Sequence, residues 1–234
     1  MNHFFQIFKI KDLRNKIVTV LGLMVAYRVL AAIPIPGIDA LRLEQFFSSN
    51  QLFGFLNIFS GGGLSTLSVA MLGVGPYITA TIIMQLLTMI FPRLKEMYYE
   101  EGARGQSKFN QYSRLLTVPL AFLQAYGFLS LLISQNIVPR TSAFGMLGNV
   151  LAITAGSMIA LWLGELISEQ KIGNGISLII LAGIVSSLPL TIQQVIASYT
   201  PSALPTYVGF VIVTLFLIAG VVYLNEGQRK IPIA

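Results

Sequence analysis

The stretch VAMLGVGPYITATIIMQLLTMIF, residues 69–91, runs through 23 positions without a charged side chain. As a helix it rises about 35 Å, enough to cross a hydrocarbon core of about 30 Å. Five more runs share its character, at 17–33, 115–133, 147–163, 176–197 and 207–224. Their continuous apolarity excludes a β-barrel, whose strands alternate apolar and polar residues. The expected fold class is therefore all-α: a polytopic membrane protein in which six transmembrane helices form a bundle over 17–224. A segment at 1–16 precedes the bundle and the start of a loop at 225–234 follows it.

Composition agrees with that class. Of 234 residues, 55% are hydrophobic and 10% charged, and the mean hydropathy is +0.76, too little polar surface to enclose a water-soluble core. With no Cys and a single His, at position 3, thiol chemistry, a His-ligated metal and a Ser/His dyad within the membrane are all excluded. No enzyme activity, cofactor or metal is expected.

The net charge of +6 is sorted by side. With the N-terminus in the cytosol, twelve of the 15 basic residues fall inside: four in 1–16, five in 92–114, Lys171, Arg229 and Lys230. Arg42 and Arg140 fall outside and Arg28 lies within a span, so the positive-inside rule places both termini in the cytosol. The stretch 1–16 has no small-residue cleavage site after it and is not a removable signal peptide. Its Phe4, Phe5, Ile7 and Phe8 among lysines fit an interfacial helix, and a frayed basic tail is the alternative.

Four places depart from plain spans. The connection 34–68 opens on Pro34 and Pro36, turns apolar at 52–59 and ends in Gly61, Gly62 and Gly63. It is either a re-entrant element or a glycine-rich turn between helices. Ile78 and Ile82 share one face of the second span, while Thr79, Thr81 and Gln85 make that span more polar than lipid contact requires. In the fifth run the apolar residues stop at Leu188, before Pro189. Thirteen residues rise only about 20 Å, so either water reaches down toward Asn174 or the helix continues to residue 197. Arg28 costs about 2.5–3.5 kcal/mol at mid-span and either faces protein and water or snorkels outward.

The motifs NIFSGGGL at 57–64, GPYITA at 75–80, NQYSR at 110–114, WLGE at 162–165, GNGIS at 173–177, AGIV at 182–185 and EGQRKIP at 226–232 occur in that order. Together they make the chain resemble the bacterial SecY family, pore-forming subunits of the Sec protein translocation channel. The resemblance covers the first six of the family's ten spans, so an expected further four would complete the channel. It implies a passive conduit for unfolded polypeptides across and, through a lateral gate, into the cytoplasmic (inner) membrane. It implies a plug over about 57–67, carried by Asn57, Ile58, Phe59, Ser60, Gly61, Gly62, Gly63 and Leu64. It further implies a pore ring of Ile78, Ile82, Ile176 and Ile180, and a gate wall with Gln85 and Gln124.

Arg104, Lys108, Arg114, Arg229 and Lys230 would face cytosolic partners, either a SecA motor or the ribosome. SecE- and SecG-type small subunits would complete the assembly. The loop sequence EGARGQSK at 101–108 departs from the adjacent arginines usual in that family. A six-span solute transporter with a broken helix is the rival, and it predicts mid-depth charges that Arg28 alone supplies.

Overall fold

The computed structural model describes residues 11–35, 67–139, 142–197 and 204–226. These residues form helices α1 (Lys11–Ala31), α2 (Gly75–Ile90), α3 (Pro92–Tyr99), α4 (Gly102–Ser134), α5 (Ala143–Glu169), α6 (Gly175–Ala197) and α7 (Leu204–Glu226). Extended chain among the described residues is limited to an isolated antiparallel bridge between Pro34 and Ser68. Three helices, α4, α5 and α7, are each long and apolar enough to cross a membrane, and α2 with α3 supplies a fourth if that bent pair is one span. The chain is thus all-helical and has several membrane-length segments.

Helix ends follow local chemistry. Pro76 sits in the first turn of α2, where its missing N–H costs nothing. Pro92 forces Phe91 out of the helical region to φ −105, ψ 109, so α2 stops there and α3 leaves at 114°. Asn136, at φ 57, closes the end of α4 and donates its N–H to the Ile133 carbonyl at 3.0 Å. The Ser142 hydroxyl accepts from the Gly145 N–H at 3.2 Å and caps α5.

Three features go beyond the sequence-based spans. α1 runs from Lys11 without a break past residue 16, with Lys16 paired to Asp12 at 2.8 Å. The basic stretch 92–114 is almost wholly helical: α3 fills 92–99, and α4 starts thirteen residues ahead of the expected span at 115. Finally, α6 contains Pro189 within its 23 residues, so the helix continues past the proline to Ala197.

The chain divides into compact units 1–188 and 189–234. In the second, α7 bears no charge from Leu204 to Leu224, and the Thr214 hydroxyl donates to the Phe210 carbonyl at 2.8 Å. In the first, α4 packs against α2, α3 and α5, and α1 packs against α5. Buried residues recur every fourth position, at Pro76, Ala80, Met84 and Thr88 on α2, and at Ser113, Thr117, Ala121 and Ala125 on α4. Small side chains at that spacing let helix backbones approach closely, and close approach drives association where lipid removes the hydrophobic term.

Three buried clusters stack through this unit. One joins Leu67 and Met71 to Leu129 and Leu132 of α4 and Ile153 of α5. The second joins Val20, Tyr27 and Ala31 of α1 to Ala160 and Ile167 of α5 and Ile179 of α6. The third, Met84, Met97 and Phe109, ties α2, α3 and the first part of α4 together. A Cβ on Gly156 would overlap the Val69 carbonyl, so the 67–74 turn lies directly on α5.

Candidate functional site

Ile78 and Ile82 stand on the face of α2 turned away from its buried stripe, since two residues of helix rotate about 200°. They are 39% and 51% exposed, whereas Ala80 between them is fully buried. Gln85, three residues beyond Ile82, is exposed along the same face. The chain therefore builds a strip of two isoleucines and one amide on a helix whose other side is anchored in the protein.

Thr79 and Thr81, expected to give the span an interhelical or water-lined face, are half-buried. Their hydroxyls donate to the Gly75 and Tyr77 carbonyls of the same helix, at 3.2 and 2.9 Å. Back-bonding four residues earlier satisfies a threonine without any neighbour.

Ile176 and Ile180 lie on α6, half-buried beside the second cluster, with Ile179 between them fully buried. Gly164 of α5 makes room: a Cβ there would come within 3.2 Å of Ile176 and 3.3 Å of Ile179. Among the described residues, α2 and α6 are not a packed helix pair. The two isoleucine pairs are thus carried by separately anchored helices. Gln124 is half-buried on α4, beside the fully buried Ala125.

The α5–α6 turn that sets Ile176 is fixed by side chains the sequence analysis left without a role. The Ser168 hydroxyl donates to the Gly164 carbonyl at 3.0 Å and accepts from the Gly175 N–H at 2.8 Å. The Asn174 carboxamide oxygen accepts from the N–H groups of Ile176 and Ser177, at 3.0 and 3.2 Å, and so caps α6. An Asn just before an apolar run is a helix-start signal and was available in the sequence. The bond from Ser168 spans seven residues and has no comparable local signature.

The expected plug residues 57–64 lie outside the described residues, as do Arg229 and Lys230. The chain on either side of 36–66 is described and is tied together. The Ile35 N–H donates to the Leu67 carbonyl and the Val69 N–H to the Ile33 carbonyl, each at 3.0 Å. Leu67 and Ser68 are fully buried.

Of the other expected contact residues, Arg104 and Lys108 are exposed on α4. Lys108 lines a groove of about 1050 Å³ between α2, α3 and α4, floored by Met84, Leu87 and Met97 and rimmed also by Arg93 and Glu101. Arg114 does not point free. Its guanidinium meets the Glu165 carboxylate of α5 at 2.5 Å, a partner the sequence analysis did not assign. Among the described residues no group of His, Cys, Asp or Glu is placed to hold a metal.

These features define an all-helical, multi-pass membrane protein with an apolar strip presented from an anchored helix. The SecY family model matches residues 68–234. The SecY subunit of the protein translocase of Synechocystis sp. is 41% identical over 237 residues, covering 98% of this chain and 52% of that protein. Its counterpart in Mycobacterium tuberculosis is 39% identical, covering 95% of this chain and 53% of that protein. The chain belongs to the SecY family, and it spans about half the length of the curated relatives it matches. Two solved structures share the fold at 21% identity. They are the Sec61 channel of a canine ribosome–channel complex, TM-score 0.59 over 94% of this chain and 49% of that one, and a protein-conducting channel, TM-score 0.60 over 93% and 48%.

Proposed function

We propose that this chain supplies one half of a protein-conducting channel and that its work is gating, with no bond made or broken. The observation that carries the proposal is the strip of Ile78, Ile82 and Gln85, exposed on a helix whose opposite face is locked into the core. An apolar constriction passes an extended polypeptide yet resists ions by dewetting and close fit. Ile176 and Ile180 contribute from α6, and residues 57–64 act as the plug. α2 and α4, with Gln85 and Gln124, form one wall of a lateral gate.

The proposed setting is the cytoplasmic membrane with both termini in the cytosol, supported by the distribution of basic residues. SecE- and SecG-type subunits and a SecA motor or ribosome are the proposed partners. Exposed Arg104 and Lys108, and Arg229 and Lys230 near the C-terminal end, are the proposed contacts. The test is ion conductance in planar bilayers of the chain co-assembled with the C-terminal spans of the Synechocystis relative. Ile78→Ser combined with Ile176→Ser should raise conductance of the idle channel. Unchanged conductance removes both residues from the constriction.

A further inference from the structure

α4 is longer than its crossing requires: 33 residues rise about 50 Å against a core of about 30 Å. Its surplus is the arm 102–114, and the arm is fused to α3. Phe109 is buried with Met97, its ring lies 4.6 Å from that of Tyr98, and a Cβ on Gly105 would overlap the Met97 carbonyl. Five residues past Arg114, Pro119 lies inside the continuous helix. Its missing N–H removes the usual donor to the Leu115 carbonyl, and its ring crowds that same turn, the usual cause of a pivot in a long helix. Beyond the pivot, Ala125, Leu129 and Leu132 are locked against Val150 and Ile153 of α5.

Arg114 lies on the arm side of Pro119, where Met84, Met97 and Phe109 pack the arm together with α2 and α3, and Glu165 lies on a fixed post. The last turn of α5 is held by Ser168, whose hydroxyl bonds both Gly164 and Gly175. We propose that Arg114 and Glu165 are positioning residues of the gate, their ion pair acting as a catch that holds the arm of α4 against α5 until it opens and the arm swings about Pro119. The catch rests on the assignment of α4 to a gate wall made above. Arg114 is 47% exposed and Glu165 23%, so the pair is reachable by solvent ions and by an acidic surface competing for the guanidinium. Arg93, Lys95, Arg104 and Lys108 on α3 and the arm would draw such a surface to it, with Glu96, Glu100 and Glu101 the opposing charges there.

The experiment is a spin-label distance measurement on the full chain in lipid nanodiscs, with labels at Asn110→Cys on the arm and Ile172→Cys after α5. The chain has no native Cys, so labelling is unambiguous. The parent should give one narrow distance distribution. Arg114→Ala and Glu165→Ala should each broaden and shift it, and the charge-reversed Arg114→Glu with Glu165→Arg should restore it, which lost packing alone would not allow. Raising salt should broaden the parent and leave Arg114→Ala unchanged, a comparison that stands even if one variant folds poorly. Distributions indifferent to both single substitutions, to salt, or to charge reversal overturn the catch. The distance is read without a translocating substrate, so failure of the conductance test above would count against the channel assignment alone.

Discussion

Gly175 and Gly164 meet backbone to backbone: a Cβ on Gly175 would overlap the Gly164 carbonyl oxygen and come within 2.8 Å of the Ser168 nitrogen. The contact brings the start of α6 against the last turns of α5, where Ser168 closes the crossing from both sides. Ile176 is the next residue, so the position of one proposed ring member is set by the absence of two side chains.

Gly175→Ala should accordingly be one of the more damaging single-methyl additions in the chain. The methyl meets backbone, which cannot rotate away, and overpacking of this kind costs about 1–3 kcal/mol. Thermal unfolding in detergent should show a lowered midpoint, with Gly173→Ala as the control, since its Cβ would meet only Leu178, at 4.0 Å. Equal midpoints for the two variants would contradict the close crossing.

Asn174 tests the other support of the same turn. Replacing an N-cap by Ala costs about 0.5–2 kcal/mol, while Asp keeps the accepting oxygen. Asn174→Ala should lower the unfolding midpoint and Asn174→Asp should stay near the parent. Two equally destabilised variants would mean that the carboxamide acts through something other than the Ile176 and Ser177 N–H groups.

Class and family were legible because membrane length and motif order are properties of the sequence itself. Apolar runs mark helices without reference to neighbours, and seven short motifs in register are specific together. Legibility faded where a residue's role depends on another element. Arg114 counts as one more basic residue until Glu165 is found opposite it, and the bonds of Thr79 and Thr81 to their own helix are visible only in the structure. Pro189 was ambiguous because proline ends a helix in water yet is tolerated in membrane spans, where neighbours satisfy the freed carbonyl. The stretch 92–114 looked like a loop because its charges mask a helix that packs through only a few apolar residues, chiefly Met97 and Phe109.

The back-bonded threonines carry a prediction of near-neutrality. Thr79→Val and Thr81→Val remove a hydroxyl together with no partner other than a carbonyl already held by the helix, so each should shift stability by less than about 1 kcal/mol. Insertion yield and unfolding midpoint should match the parent. A large loss in either would show that the hydroxyls bond across to another helix.

Deleting residues 57–64 tests the plug assignment, because the ends of the surrounding segment are held independently of it. Ile35 and Leu67 are hydrogen-bonded at 3.0 Å, and Leu67 is fully buried, so the segment between them can shorten without unpinning its base. The variant should therefore insert and unfold like the parent. If 57–64 is a seal and not the conduit, the deleted chain, co-assembled with the C-terminal spans of the Synechocystis relative, should still export a secretory substrate. Its idle ion conductance should rise above that of the parent. Normal folding with export abolished would instead make the segment part of the path, and normal folding with conductance unchanged would leave the seal to the isoleucine strip alone.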